Sequence, residues 1–475
     1  MGWGFRSFPL VSTTQCGQIA PGSFLMSRRI TGLETEYGCL VDSHTQLQDV
    51  LPRIRDWLFE NHRYGLIDQH DRDWDEPAGN GGFLFNGGRA YIDMGHLEYC
   101  TPECASALDV VRYDRAGDLL LQEAVQSLGL KGKVHFIRNN IDHYTGATFG
   151  CHENYSLERK APLHEKNVMS LLTFLTLRVL FSGAGRVGSI RPTRFRGDTP
   201  PREEPAPFQI CQRADYIQND FFEWVQHNRA IINTRDEPLA DPRLYRRLHL
   251  IHGDTTVLPA TLFLKVGATR LVLDLLDEDE LPPLVLNDAV STLRQLSRSL
   301  RPPWTVTLAD GRTADALELL EVYRAKAKQC FKGRDAETDA LLELWERVNH
   351  LLATDVPGLV GIVDWVSKEF LLQEFCRSEG VGWGNPWLES LDLEFHQIDP
   401  DKSLGLALAN MDGLWATPRV SQARSEPPDN SRARVRSRLM REIQSKGPDT
   451  TYFLDWEAVE LPNQKRTRLL DPFQI

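Results

Sequence analysis

The chain has 475 residues, of which 41% are hydrophobic and 25% are charged, an ordinary composition for a folded protein. Its formal net charge of −12 argues against non-specific nucleic-acid binding, which requires a basic surface. The longest apolar run, residues 168–181, is interrupted by polar side chains and is shorter than the roughly 20 residues that cross a bilayer. We therefore expect neither a nucleic acid nor a membrane as partner, and one large domain with one small one.

The first 27 residues contain no apolar stretch long enough for a secretory signal and no clear cleavage site. We expect them to be a disordered leader or a mis-assigned start, since a second methionine, Met26, stands just before the first strand-like segment. The eight cysteines are scattered along the chain, which is not the spacing of a disulfide framework. These features predict a cytoplasmic protein with reduced thiols.

Four segments in the first third of the chain have the pattern of strands, at about residues 29–40, 82–94, 133–138 and 148–158. Because side chains alternate across a strand, Glu34 and Glu36 share one face of the first segment. Arg89, Tyr91 and Asp93 likewise share one face of the second. A single face of this kind is equally well explained as an exposed polar surface. Two such strands predict the floor of a site that handles phosphate, metal and a proton.

Glu98, Thr101 and Glu103 follow the second segment closely. Thr101 is a good N-cap, and the proline after it is tolerated in a first turn, so a helix is predicted to start there. Later in the chain, leucines and a tryptophan between residues 341 and 352 form a helical stripe typical of core. Strands first and helices later predict an α+β fold with an antiparallel or mixed sheet.

Residues 150–155 predict a strand on which His152 and Asn154 share one face. Cys151 and His152 then point to opposite faces, which argues against a Cys–His catalytic dyad. The histidine is either structural or part of the site.

Two arginine-rich stretches have more than one interpretation. Arg235, Arg246 and Arg247 lie near acidic residues, either as salt-bridged structure or as a clamp for an anionic substrate or a γ-phosphate. Five arginines between residues 432 and 441 form a helical run, which is either a solvated face or a dock for an acidic partner.

Together these residues are the parts of an ATP-dependent carboxylate–amine ligase. Carboxylates can hold magnesium, which prefers oxygen ligands and bridges phosphates. Arginines neutralise a transferring phosphoryl group, and an aspartate can take a proton from an amine or a water. A carboxylate is a poor electrophile, but its acyl phosphate is open to attack by an amine.

Six motifs resemble one family, that of the Pup ligase (proteasome accessory factor A) and its sister enzyme, the Pup deamidase or depupylase. The motifs are residues 34–38, 86–93, 98–99, 150–155, 233–238 and 245–249. The resemblance implies an α+β fold like glutamine synthetase. It has a large domain at residues 28–403, with a curved antiparallel sheet flanked by helices. A small C-terminal domain, residues 404–475, completes the nucleotide site.

The resemblance also assigns roles to residues. It implies that Glu34, Tyr91 and Glu98 bind Mg²⁺ and that Asp93 is catalytic. It implies that ATP is contacted by Arg89, Thr101 and Trp456. Further candidates are the polar residues that accompany these positions in the motifs: Glu36, Glu103, His152, Asn154, Arg235, Arg246 and Arg247.

The implied function is an ATP- and Mg²⁺-dependent ligase that joins the C-terminal glutamate side chain of a Pup-like modifier to target lysines. The targets would be marked for the bacterial proteasome. A deamidase or depupylase acting on the same modifier is the alternative, and a non-catalytic adaptor is the third hypothesis. The five-residue step from Asp93 to Glu98 is typical of the depupylase. The C-terminal tail and the absence of a long loop within residues 39–85 favour the ligase.

Overall fold

The computed structural model describes residues 29–72, 76–143, 145–188, 206–223, 229–416 and 419–475. The predicted leader lies outside the described residues. Seventeen strands are present in the described part: β1 Thr31–Val41, β2 Gly65–Ile67, β3 Gly81–Leu84, β4 Arg89–Asp93, β5 His96–Cys100, β6 Val134–Ile137, β7 Cys151–Glu158, β8 Arg186–Val187, β9 Phe208–Gln209, β10 Ile217–Phe222, β11 Arg229–Asn233, β12 Tyr245–Leu250, β13 Thr305–Thr307, β14 Thr313–Asp315, β15 Phe453–Leu454, β16 Ala458–Glu460 and β17 Thr467–Arg468.

The α-helices of the same residues are α1 Leu47–Phe59, α2 Ala107–Ser127, α3 Glu165–Leu177, α4 Val179–Ser182, α5 Pro259–Asp277, α6 Ala289–Arg298, α7 Ala316–Phe331, α8 Ala336–Thr354, α9 Asp364–Glu379, α10 Trp387–Phe395, α11 Leu404–Leu408, α12 Val420–Ala423 and α13 Arg432–Ser445.

Ten of the strands form one large sheet in the order β10-β11-β12-β7-β1-β5-β4-β3-β2, with β6 added through a pairing to β1. Among the described pairings of this sheet, only β10 with β11 is parallel. The helices flank the sheet. The predicted α+β class with a largely antiparallel sheet is confirmed.

The central strand β1 explains how the sheet separates core from site. Leu33 is buried, and on the same side the hydroxyls of Thr35 and Tyr37 donate to Asp114 and Asp118 of α2, at 3.4 and 2.7 Å. The helices therefore cover this face. The intervening residues of β1, which include both predicted glutamates, must project to the opposite face.

Two local predictions differ from the structure. The predicted strand at residues 82–94 is a hairpin, because Gly87 adopts a φ of 87° between β3 and β4 and reverses the chain. The predicted cap at Thr101 is wrong: helix α2 begins at Ala107, and Ser106 accepts from the amide of Asp109 at 3.0 Å. The Thr101 hydroxyl instead accepts from the Leu33 amide at 3.0 Å.

The predicted stripe on α8 is core, as expected, with Leu341, Leu344, Trp345, Val348 and Leu352 all buried. It belongs to the main hydrophobic core, which also buries nearly the whole of α5.

The C-terminal residues build a separate three-stranded sheet from β15, β16 and β17. Met440 and Val459 pack with Leu66 and Phe83 of the large sheet in one hydrophobic cluster. Trp415, in contrast, packs into the main core. The boundary between residues 403 and 404 stays a prediction.

Within the described part of the chain, none of the helices combines the length and the apolar character that a transmembrane span requires.

Candidate functional site

A cavity of about 870 Å³ opens on the face of the large sheet that the helices leave uncovered. Every predicted site residue except Glu36 lines it: Glu34, Arg89, Tyr91, Asp93, Glu98, Thr101, Glu103, His152, Asn154, Arg235, Arg246, Arg247 and Trp456. The structure thus brings together candidates that the sequence separates by more than 400 residues.

Strand register places the floor residues side by side. Tyr91 pairs with Glu98, and Glu98 pairs with Glu36, across β4, β5 and β1. In the neighbouring row, Glu34 of β1 pairs with His152 of β7. Directly paired residues of antiparallel strands project to the same side of the sheet, so all five side chains face the cavity side.

The first group of candidate ligands, which we call the acidic group, consists of Glu36, Asp93 and Glu98. Their carboxylate oxygens lie within 4.8 Å of one another. Burial raises the pKa of Glu98 well above its usual range, and the charges of Glu34, Glu36 and Asp93 raise it further. The Tyr91 hydroxyl donates to Glu98 at 2.7 Å. Three carboxyl groups this close together, one of them with a raised pKa, would be stabilised by a bound cation.

The second group, which we call the histidine group, consists of Glu34, His152 and His249, again with ligand atoms within 4.8 Å. His152 Nδ1 lies 3.0 Å from one oxygen of Glu34, and the Asn154 amide donates to the other at 2.8 Å. Burial alone would raise the pKa of Glu34, but the hydrogen bond from His152 and the positive charge of Arg247 help to lower it below its usual range.

His249 is a functional candidate that sequence reasoning missed. It is buried, and among the described residues neither of its ring nitrogens has a hydrogen-bond partner. Burial lowers the pKa of His249 to about 3, so the ring is neutral and keeps a lone pair for a ligand. The available signal was its position two residues after Arg247 on a strand, which places both on one face.

The predicted metal residues therefore fall into two neighbouring groups, with Glu34 in the histidine group and Glu98 in the acidic group. Tyr91 contacts the acidic group through its hydrogen bond to Glu98. Burial and the charge of Glu98 raise the pKa of its hydroxyl, so the phenol is a neutral donor that orients Glu98.

The predicted nucleotide residues Arg89, Thr101 and Trp456 line the same cavity. Arg89 is buried and is held by Asp68 at 3.0 Å and by Glu76 at 2.6 Å, with its guanidinium 4.1 Å from the Tyr91 ring centroid. Trp456 lies with its ring 4.9 Å from that of Phe83, edge on.

Glu103 connects the cavity wall to the C-terminal residues. It is buried and accepts hydrogen bonds from Arg432 and Arg436 of α13, both at 2.6 Å. Burial alone would raise the pKa of Glu103, but the charges of these arginines lower it to about 2. Arg436 also lies 4.8 Å from the ring centroid of Trp456. The arginine run is therefore not simply a solvated face, since two of its members are buried ion-pair partners.

The other arginines differ among themselves. Arg235 is exposed and pairs with Glu237 at 2.6 Å, which fits the salt-bridged interpretation. Arg247 is 3.7 Å from the same carboxylate, and burial lowers the pKa of its guanidinium. A buried Nε without a hydrogen-bond partner is found in both Arg246 and Arg247. These two remain available for an anionic ligand.

Known proteins are similar to this chain in sequence and in fold. A family model described as "Pup-ligase protein" matches residues 29–460. The Pup–protein ligase of Kineococcus radiotolerans is 35% identical over 469 residues, covering 94% of this chain and 97% of that protein. A crystal structure of the complex between the prokaryotic ubiquitin-like protein Pup and its ligase PafA matches with a TM-score of 0.79 at 30% identity, covering 94% of this chain and 90% of that one. A structure of PafA in complex with ADP gives 0.74 at 30% identity, with 84% and 88% covered.

Proposed function

This chain belongs to the Pup-ligase family, and from that premise we propose that it uses ATP to join the C-terminal glutamate side chain of a Pup-like modifier to lysines of target proteins. The observation that carries the proposal is the cavity, beside which two groups of candidate cation ligands lie close to buried arginines and a tryptophan. The Pup-bound and ADP-bound relatives support a modifier and a nucleotide as its ligands. We further propose that the protein acts in the cytoplasm and that its products go to the proteasome.

The nucleotide side of the cavity is prepared by fixed side chains. Asp68 and Glu76 hold the Arg89 guanidinium, so that it can meet a phosphate without first becoming ordered. Trp456 offers an aromatic face for a base, and Thr101, which directly follows β5, lines the same cavity. We assign these three residues to ATP.

The acidic group fits Mg²⁺, because its donors are all carboxylate oxygens and repel one another without a cation. The histidine group can hold a second divalent ion through Glu34 and the lone pair of His249. When bound, Mg²⁺ would neutralise the phosphate oxygens and so make the terminal phosphate easier to transfer. Tyr91 then serves by orienting Glu98.

The reaction has two steps. The modifier's γ-carboxylate attacks the terminal phosphorus of ATP, and ADP leaves, giving an acyl phosphate. The lysine nitrogen then bonds to the acyl carbon, the carbon–oxygen bond to phosphate breaks, and phosphate leaves. We assign to Asp93, which ends β4 and lines the cavity, the role of accepting the proton that the amine loses. Arg246 and Arg247 can meet the anionic end of the modifier.

The decisive experiment mixes the protein with ATP, Mg²⁺ and a candidate modifier ending in Glu or Gln, and follows masses. A mass gain on a lysine-bearing target, with one ADP formed per bond, supports the ligase. Loss of the C-terminal amide, or release of the modifier from a conjugate, would instead support the deamidase or depupylase. If ATP is not consumed with or without the modifier, the adaptor hypothesis takes its place.

Arg436 provides a prediction about the nucleotide side. We expect Arg436→Met to raise the KM for ATP about tenfold and to leave the KM for the modifier unchanged, because Trp456 loses the cation beside its ring and Glu103 loses one of its two arginines. Steady-state kinetics with each substrate varied in turn measures both constants.

The matched control is Arg438→Met, an exposed arginine on the same helix. It should change neither constant. Equal KM values for ATP in Arg436→Met and the unmodified protein would contradict the role of Arg436.

A further inference from the structure

The side chain of Arg72 connects two parts of the chain that are distant in sequence. Its Nε donates to one oxygen of Asp68 at 2.9 Å, and one of its terminal nitrogens donates to the other oxygen at 3.1 Å. The second terminal nitrogen donates to the carboxylate of Asp455 at 2.9 Å, and the carbonyl of Leu454 accepts a further hydrogen bond at 2.8 Å. One guanidinium thus holds Asp68 together with two residues that lie 382 and 383 positions after Arg72.

The contacts on the first side lead to Arg89, which we assign to ATP. Asp68 accepts from Arg72 and also from Arg89, the latter at 3.0 Å. The backbone amide of Arg72 donates to the carbonyl of Glu76 at 3.0 Å, and the carboxylate of Glu76 accepts from Arg89 at 2.6 Å. Both residues that fix the Arg89 guanidinium are therefore bonded to Arg72.

The contacts on the second side lead to Trp456, which we also assign to ATP. The oxygen of Asp455 that accepts from Arg72 accepts in addition from the backbone amide of Trp456, at 2.6 Å. The Arg72 guanidinium lies 5.1 Å from the ring centroid of Phe83, and the ring of Trp456 meets that of Phe83 edge on at 4.9 Å. Arg72 is thus linked to Trp456 through its backbone and through its ring.

The chemistry of arginine suits this position. The contacts use four N–H groups of one planar fork, so a single cation can hold two carboxylates in a fixed arrangement. They are largely removed from water, since the side chain of Arg72 is 13% exposed and that of Asp68 is 3% exposed. Removing one partner of such a pair is costly, because it leaves a buried charge unpaired.

We propose that Arg72 is a positioning residue that makes the contributions of Arg89 and Trp456 to nucleotide binding depend on each other. The inference rests on the proposed function, which assigns both residues to ATP. Arg72 is not among the described residues that line the cavity, so it acts on the nucleotide through its partners. Because one guanidinium holds the partners of both residues, a displacement of either one shifts the other, and substitutions at the two sites are not additive.

The test is a double-mutant cycle on the binding of ADP, measured by calorimetric titration. Arg89→Lys and Trp456→Phe are made singly and together, first in the unmodified protein and then in the presence of Arg72→Met. In the unmodified protein, we expect the loss of affinity in the double variant to differ at least about fivefold from the product of the two single losses. With Arg72→Met, the two quantities should agree within about twofold. Arg72→Lys should abolish the coupling as well, since it keeps the charge beside Asp68 but lacks the planar fork.

Arg377→Met is the matched control, because Arg377 is exposed and pairs with Glu374 of its own helix. The coupling should persist in this background. Coupling that persists in a folded Arg72→Met or Arg72→Lys variant would overturn the inference, as would additive losses in the unmodified protein. Failure of the unmodified protein to bind any ADP would be a different result, since it would refute the proposed function itself.

Discussion

Replacing Asp93 by asparagine is expected to lower the rate of isopeptide formation at least about 10³-fold while the protein still binds nucleotide. Asparagine keeps the shape of the side chain but cannot accept the lysine proton, and general base catalysis contributes about 10²–10⁴ in rate. Single-turnover formation of the conjugate, followed by mass spectrometry, measures the loss. Calorimetric titration with ADP measures binding separately.

Asp310→Asn is the control for this substitution, because Asp310 is exposed in a turn and pairs only locally with Arg312. It should leave the rate unchanged. If Asp93→Asn formed the conjugate at the normal rate, the prediction would be wrong. Another group would then have to accept the lysine proton.

Glu34→Gln is expected to weaken Mg²⁺-dependent binding of ATP at least about tenfold. Even outer residues that orient a metal ligand are typically worth 10–100-fold in metal affinity, and Glu34 joins His152 and Asn154 to the floor of the cavity. The amide removes the negative charge and leaves His249 without a carboxylate beside it. Titrations of ATP at several Mg²⁺ concentrations separate the effect of the substitution on Mg²⁺ binding from its effect on nucleotide affinity.

Glu60→Gln, a substitution at an exposed glutamate next to α1, controls for the loss of one charge from the whole protein. It should bind Mg²⁺ and ATP normally. If Glu34→Gln and the unmodified protein showed the same dependence on Mg²⁺, the histidine group would not be a cation site.

The sequence predicted the floor of the cavity well, because strand alternation depends only on neighbouring residues. Glu34 and Glu36 on β1, and Arg89, Tyr91 and Asp93 on β4, share faces for that reason alone. The fold class and family followed from motifs that are short and local. The alternation of side chains along a strand is enough to predict these parts of the site.

What the sequence did not predict depends on contacts between distant segments. The division of the carboxylates into two groups is set by the register of β1 against β5 and β7, which no local pattern encodes. Thr101 has the chemistry of a helix cap, but a hydrogen bond to Leu33 uses its hydroxyl instead. Nothing in the local sequence singles out His249 or Arg436 as a site residue, because each is notable only through its burial beside a charged partner.

The ion pairs of Glu103 with Arg432 and Arg436 join residues 329 and 333 positions apart in the chain. Synthesis runs from the amino end, so the strands of the large sheet and Glu103 leave the ribosome long before Arg432 and Arg436, the ion-pair partners of Glu103. Until α13 and Trp456 emerge, the nascent chain has the carboxylates of the proposed cation site but lacks residues that we assign to the nucleotide side. An unfinished polypeptide would therefore be unable to use ATP or to ligate the modifier to other proteins. Activity would begin only when synthesis is nearly complete.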